Sequence, residues 1–238
     1  KLKSLYLVNL YHKYSNYVDL DILRMCSESK AGNNSCIIYR GQRISHRVLR
    51  YAYYVSQIQK NTNLKFKSNN IVMDLGGGYG GLSRFLKNVY TDSTFVTIEL
   101  PEMCALATFF LKKCFPDKKI GTFSNFEKLD KISKDEIIKF DFVILPQPMM
   151  EKFEDETFDL CINTTSLGEM TVEMQQYYID HIERLSKEYF YSVNRPKRSK
   201  KYNARGFYDF KFNKRWKSII YNFNHVYHIE FLGKKIKE

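Results

Sequence analysis

Two carboxylates and a cluster of glycines offer the first chemistry in this chain. Residues 71–81, IVMDLGGGYGG, set Asp74 two positions before Gly76, with Gly77, Gly78, Gly80 and Gly81 following. Glycines at this spacing let a backbone turn sharply and approach a ligand closely, and a helix beginning just after them offers its unpaired N–H groups. Glu99 stands 18 residues past Gly81, a distance at which a carboxylate on the next strand can accept hydrogen bonds from ribose hydroxyls. The glycines fit G-x-G-x-x-G (Gly76, Gly78, Gly81), a cradle for a pyrophosphate, and equally D-x-G-x-G (Asp74, Gly76, Gly78). An acidic residue beside the turn repels phosphate in a partly buried site and suits a positively charged ligand. Further on, Glu169 lies among small or apolar neighbours in TTSLGEM, residues 164–170. Burial there would raise its pKa and fit it for proton abstraction; its other reading is support of the next helix. His46 is a second candidate base, or an ordinary surface or capping histidine.

These groups need strands and helices to hold them. Residues 71–75 are largely aliphatic and without a basic residue, as in a strand buried on both faces, and Leu82, Phe85, Leu86 and Val89 then recur at helical spacing. Residues 93–100, STFVTIEL, predict a second strand, with Pro101 suited to the first turn of a helix over 101–114. The pattern continues with a strand over 141–145 ending in Pro146-Gln147-Pro148, a strand over 159–163, a helix over 172–185 and a strand over 189–193 ending in Asn194-Arg195. Between them, 117–140 is an irregular, Lys-rich insertion with a short helix near 134–138. Residues 218–232 predict two strands around 222–224. Ahead of the first strand, residues 1–35 are polar and Tyr-rich, with helical spacing at Leu5, Val8 and Tyr11 and again at Val18, Ile22 and Met25. A helix over 45–59 follows, with Val48, Leu49, Ala52, Val55 and Ile58 on one face and Ser45 as its N-cap.

The aliphatic run, Asp74, Gly76, Gly78 and Gly80 resemble, position for position, the first motif of the class I S-adenosylmethionine-dependent methyltransferases. Glu99-Leu100-Pro101 resembles the acidic-Leu-Pro turn of many small-molecule O-methyltransferases. The pattern N-T-x-S-x-x-E-M over residues 163–170, with an aromatic strand ending in Asn194-Arg195, is similar to the sugar O-methyltransferase family. The resemblance covers roughly residues 40–200. It implies an α/β fold: a Rossmann-like, seven-stranded, mostly parallel sheet with helices on both faces over residues 66–238, behind an N-terminal helical lid in residues 1–65. It implies S-adenosylmethionine as cofactor, bound by Asp74, Gly76, Gly78, Gly80, Glu99, Leu100, Gln147 and Asn163. Gln147 stands where the family usually has an acidic residue for the adenine amine. The implied acceptor is a carbohydrate hydroxyl, with Glu169 or His46 as general base and Arg43, Ser166, Asn194 and Arg195 as acceptor-binding groups.

Charge and composition leave other partners open. The net charge is +12, and residues 194–217 hold ten Lys or Arg against one Asp. Such a segment can attract an anionic glycan, a membrane surface or nucleic acid, or be a solvated loop. A methyltransferase acting on nucleic acid or protein is therefore the alternative, although the N-P-P-Y-type tetrapeptide of many base amino-methyltransferases is absent. A non-catalytic module that keeps the fold is a third reading, opposed by the intact Asp74, glycine turn and Glu99. Five scattered cysteines, with no C-x-x-C, argue against a zinc site or disulfide framework and make the cytoplasm the default location. No apolar run is long enough to predict a membrane-spanning helix. The chain starts at Lys1, not Met, as expected of a fragment of something longer. Its 18 Tyr and 18 Phe either line a site for flat polar ligands or replace Leu in the core. Nothing in the sequence sets the oligomeric state.

Overall fold

The structure, a computed structural model, describes residues 2–32, 35–65, 68–198, 204–213, 216–224 and 228–236. Helices Leu2–Ser15 (α1) and Leu20–Arg24 (α2) come first, then the strands Ile37–Tyr39 (β1) and Gln42–Ile44 (β2) and the long helix His46–Asn61 (α3). Strand Ile71–Leu75 (β3) leads into helix Gly81–Val89 (α4), and strand Thr94–Glu99 (β4) into helix Pro101–Cys114 (α5). Short elements follow: strand Ile120–Gly121 (β5) and helices Phe123–Phe126 (α6) and Lys134–Ile137 (α7). Strands Phe142–Pro146 (β6) and Phe158–Thr164 (β7), helix Val172–Leu185 (α8), and strands Ser186–Asn194 (β8), Trp216–Phe223 (β9) and Ile229–Lys235 (β10) complete the chain.

The main sheet has the order β5-β6-β4-β3-β7-β8-β10-β9. Only β10 runs against its neighbours, pairing antiparallel with both β8 and β9. Alternate residues of β3 serve opposite faces, as the two-residue period of a strand requires. Val72 packs with Leu82, Phe85, Ala107 and Phe110 of α4 and α5, whereas Ile71 and Met73 pack with Tyr178, Ile179 and Ile182 of α8. Helices therefore cover both faces. The chain steps outward from β3 through β4 to β6, then returns to the other side of β3 with β7. Ligands of open α/β sheets bind at such a reversal, outside the carboxyl ends of the strands.

Three features depart from the sequence expectation. The sheet has eight strands, not seven, because Ile120 and Gly121 pair with Phe142 and Val143 inside the stretch expected to be irregular. Two residues show no periodicity for a pattern to reveal. The segment before β3 is not wholly helical. It contains the β1–β2 hairpin, whose two loop residues, Arg40 (φ +48°) and Gly41 (φ +76°), take the left-handed backbone that matches strand twist in a tight turn. Finally, α1 buries Leu7, Tyr11 and Tyr14 and leaves Leu5 exposed, and Met25 is exposed too.

Ser45 caps α3 as expected, its Oγ accepting the Val48 N–H at 3.1 Å. This helix lies in the same core cluster as α4 and as Tyr189, Tyr191 and Leu232 of β8 and β10. Much of the aromatic content is core: Tyr14, Tyr189, Tyr191 and seven Phe are among the largest fully buried side chains. Buried tyrosines need partners for their hydroxyls. Tyr53 of α3 and Tyr191 of β8 both donate to the fully buried Glu230 of β10, at 2.6 and 2.7 Å. Burial raises the pKa of that carboxyl, and the two hydroxyls oppose the rise.

Candidate active site

The glycine turn follows β3 at the reversal point. The Gly76 N–H is donated to the Ile98 carbonyl at 2.8 Å, tying the end of β3 to β4. Gly76, Gly78 and Gly80 have φ of +71°, +58° and +83°, a region glycine enters without steric cost. Space also requires glycine on the underside: a Cβ at Gly76 would overlap the Ser166 hydroxyl, and one at Gly77 would lie 2.6 Å from Asp74 Oδ2. A Cβ at Gly78 would meet nothing within 4 Å. The turn is supported from below and open at Gly78.

Glu99 closes the turn from β4. Its Oε1 accepts the Gly78 N–H at 3.0 Å and its Oε2 accepts the Leu100 N–H at 2.7 Å. A carboxylate has about four lone-pair positions, so each oxygen keeps capacity for a second donor. Leu100 is an exposed apolar side chain directly beside it.

Asp74 lies under the turn, 2% exposed, and its Oδ2 has no hydrogen-bond partner. Burial, then the nearby Glu99 charge, pushes its pKa up to about 7, against the lowering effect of the Ser83 hydroxyl. Two carboxylates therefore share the floor and rim of one turn, and the second resists ionisation. A positive charge placed there would be welcome to both.

The end of β7 holds β3 in place. Asn163, fully buried, donates from Nδ2 to the Leu75 carbonyl at 3.0 Å and to Ser166 Oγ at 2.5 Å. Its Oδ1 accepts from Asn194 Nδ2 at 2.8 Å, and the same Asn194 amide donates to Ser192 Oγ at 2.8 Å. Asn194 is 1% exposed, so it does not face an acceptor as the sequence suggested; register at the end of β8 turns it inward onto Asn163. Asn163 and Ser166 likewise position the turn from beneath. Gln147, just past β6, accepts a hydrogen bond from the Tyr178 hydroxyl of α8, which engages the carbonyl expected at the adenine amine.

Other expected groups lie apart. Glu169 ends the 3-10 turn Leu167–Glu169 with its side chain 54% exposed, and Arg195 Nη2 approaches its Oε1 to 3.6 Å. The burial expected from its apolar neighbours is not found, because the tight turn directs Leu167 inward and leaves Glu169 outside. Arg43, in β2, is held by backbone contacts to Ser27 and Glu28. His46 lines a cavity between α1 and α3 that does not include Glu169.

Several residues at the turn escaped the sequence reading. Tyr79, within the turn, packs edge-on against Phe110 at 4.8 Å, and the Arg47 guanidinium lies 5.1 Å from its ring centroid. The contact with Tyr79 raises the pKa of Arg47, and the Tyr79 and Tyr51 hydroxyls both border Gly81. The i, i+4 pair Arg47 and Tyr51 on one face of a predicted helix was the available signal.

The strand reversal and the glycine turn placed at it define a Rossmann-like α/β protein. Among solved structures the chain is similar to the pyocyanin biosynthetic protein PhzM, with 10% identity over 80% of this chain and 56% of that one and a TM-score of 0.50. It also resembles a SAM-dependent methyltransferase from Aquifex aeolicus (12% identity, TM-score 0.47, 77% and 89% of the two chains). A third is magnesium protoporphyrin IX methyltransferase (ChlM) from Synechocystis PCC 6803 with bound SAH (12% identity, TM-score 0.49, 91% and 94%). The chain spans about half the length of PhzM, and at these identities the likeness is one of fold. No protein-family model and no curated protein sequence matches the chain.

Proposed function

We propose that this protein is an S-adenosylmethionine-dependent methyltransferase whose acceptor is a carbohydrate hydroxyl. The observation that carries the first half is the Asp74–Glu99 pair around an open glycine turn at the sheet's reversal point. Two carboxylates there disfavour a pyrophosphate and favour a ligand bearing an ammonium and a sulfonium. The residues fit such a ligand: Asp74 Oδ2 is a buried acceptor without a partner, Glu99 has lone pairs left for ribose hydroxyls, and Leu100 offers apolar surface beside them. The donor, when bound, supplies an electrophilic methyl group for direct displacement.

What the chain itself must do is hold the acceptor oxygen in line and take its proton, and positioning can supply much of the rate. Glu169 is the proposed base, with Arg195 beside it to hold the acceptor. The carbohydrate class rests on the sequence resemblance of residues 163–170 and Asn194-Arg195. Residues 1–65 serve as a lid segment on the domain formed by residues 66–238, with Arg47 of α3 lying over Tyr79 of the glycine turn. The basic segment 194–217 would meet an anionic glycan or membrane surface; of it, 199–203 and 214–215 lie outside the described residues. Among the described residues no helix is long and apolar enough to cross a membrane.

Calorimetric titration of S-adenosylmethionine into the protein, with NAD as the control ligand, tests this reading. Binding of the methyl donor and not of NAD is expected. Binding of NAD instead, or of neither, would overturn it.

A further inference from the structure

A cavity of about 420 Å³ lies between α1 and the start of α3, and its lining includes neither Glu169 nor Arg195. Lys3, Tyr6, Glu28, His46, Arg47 and Arg50 are among its lining residues. Its charge is one-sided: three permanent cations, Lys3, Arg47 and Arg50, face one carboxylate, Glu28. That carboxylate is buried and already accepts the Ser45 hydroxyl at 2.5 Å.

The placement of these cations is costly for the helix that bears them. His46, Arg47 and Arg50 occupy the first two turns of α3, and no acidic residue stands in its first turn. A helix N-terminus carries partial positive charge, so a permanent cation in the first turn, as Arg47 is, is unfavourable there. Arg50 lines the cavity with its Nε buried and without a hydrogen-bond partner. Burial first, and then the nearby Arg50 charge, lower the pKa of His46. Tyr6 lies roughly parallel to the His46 ring, with centroids 6.4 Å apart, giving the cavity a flat wall.

We infer that this cavity is an anion-binding site for an oxoacid group, carboxylate or phosphate. The helix N-terminus, three cations and an unsatisfied guanidinium N–H all recognise the same chemistry. Arg47 both lines the cavity and covers Tyr79 of the glycine turn, so the cavity is one side chain away from the donor site. On the methyltransferase reading, and resting on it, the anion is an acidic group of the acceptor, which makes that acceptor an acidic sugar such as a uronate or a sugar phosphate.

The His46 imidazole provides a local reporter, since its ring resonances can be assigned by their loss in His46→Asn. Inorganic phosphate and glucuronate, each added at constant ionic strength, are the probes, with neutral glucose as control. A saturable shift of His46, with no matching shift of His181, is expected for at least one of the two anions. The one that binds more tightly distinguishes phosphate from carboxylate. Arg50→Gln and Lys3→Gln, each checked for native circular dichroism, are expected to weaken binding at least about tenfold. No His46 response to either anion, or an unchanged response in both variants, would overturn the inference. Parallel titration with S-adenosylmethionine separates the two claims. Donor binding without a His46 response sinks the anion site alone, and a His46 response without donor binding keeps the site and removes the methyltransferase reading.

Discussion

Gly78 and Glu99 are joined by a 3.0 Å hydrogen bond from a backbone N–H in the glycine turn to a carboxylate on the neighbouring strand. The two ends of the proposed donor site are thus one unit: the residue that would receive ribose hydroxyls also fixes the loop.

Glu99→Ala removes both roles. Its affinity for S-adenosylmethionine is expected to fall about 10- to 100-fold, the range for hydrogen bonds to a charged group. Glu99→Gln keeps one acceptor oxygen and should lose less. Equal affinity for wild type and Glu99→Ala in calorimetry would place the ribose elsewhere.

Asp74 makes stability depend on pH with an unusual sign for a carboxylate. Its folded pKa of about 7 lies above the ordinary 3.8, so between those values the folded state binds the extra proton. Stability of the ligand-free protein therefore falls as pH rises from about 4 to about 7, and is level above. Asp74→Asn should be the more stable protein at pH 8, by at most about 4 kcal/mol, with the advantage vanishing toward pH 4. Urea denaturation at pH 4, 6 and 8 measures it; a constant difference would contradict the buried, proton-holding carboxyl.

Gly76 and Gly78 separate backbone strain from crowding. Both have positive φ, which costs a non-glycine residue about 1–2 kcal/mol. Only a Cβ at Gly76 strikes Ser166, so Gly76→Ala should cost more than Gly78→Ala. In a Ser166→Gly background that excess should disappear while the shared strain remains. Equal losses in the parent protein would mean that Ser166 does not support the turn.

Asn194→Ala leaves the buried Asn163 carbonyl oxygen without its donor. A loss of about 1–3 kcal/mol in folding stability is expected, with weaker donor binding as Leu75 and the turn loosen. An acceptor-binding role would instead raise the acceptor KM and leave the melting temperature in place.

How much of this was visible beforehand depended on how local each feature was. Helices Pro101–Cys114 and Val172–Leu185 were legible to the residue, because a proline start or a Thr cap and an apolar stripe are written in consecutive positions. The glycine turn and Glu99 were legible for the same reason. The two-residue strand β5 and the three-residue strands of the hairpin were not, since elements that short exist only by pairing. Side-chain direction was the weakest point. Asn194 and Glu169 both sit where expected in the fold. One is turned into the core by strand register and the other is left outside by a 3-10 turn, and neither outcome is encoded in the neighbouring residue types. Contacts that join distant segments, such as Arg47 with Tyr79 or Tyr178 with Gln147, lie beyond any local pattern.

The Tyr53–Glu230 hydrogen bond spans 177 residues of sequence and bears on how the chain reaches its native state. A ribosome adding roughly 5–20 residues per second would make Tyr53 some 10–35 s before Glu230. During that interval α3 can pack on α1, α2 and α4, but Tyr53 lacks the Glu230 carboxylate and the edge of β8 awaits β10. Contacts of such separation form late and slow the final closure. The growing chain thus keeps an open β8 edge, with unpaired strand N–H and C=O groups, until β10 arrives to pair with it.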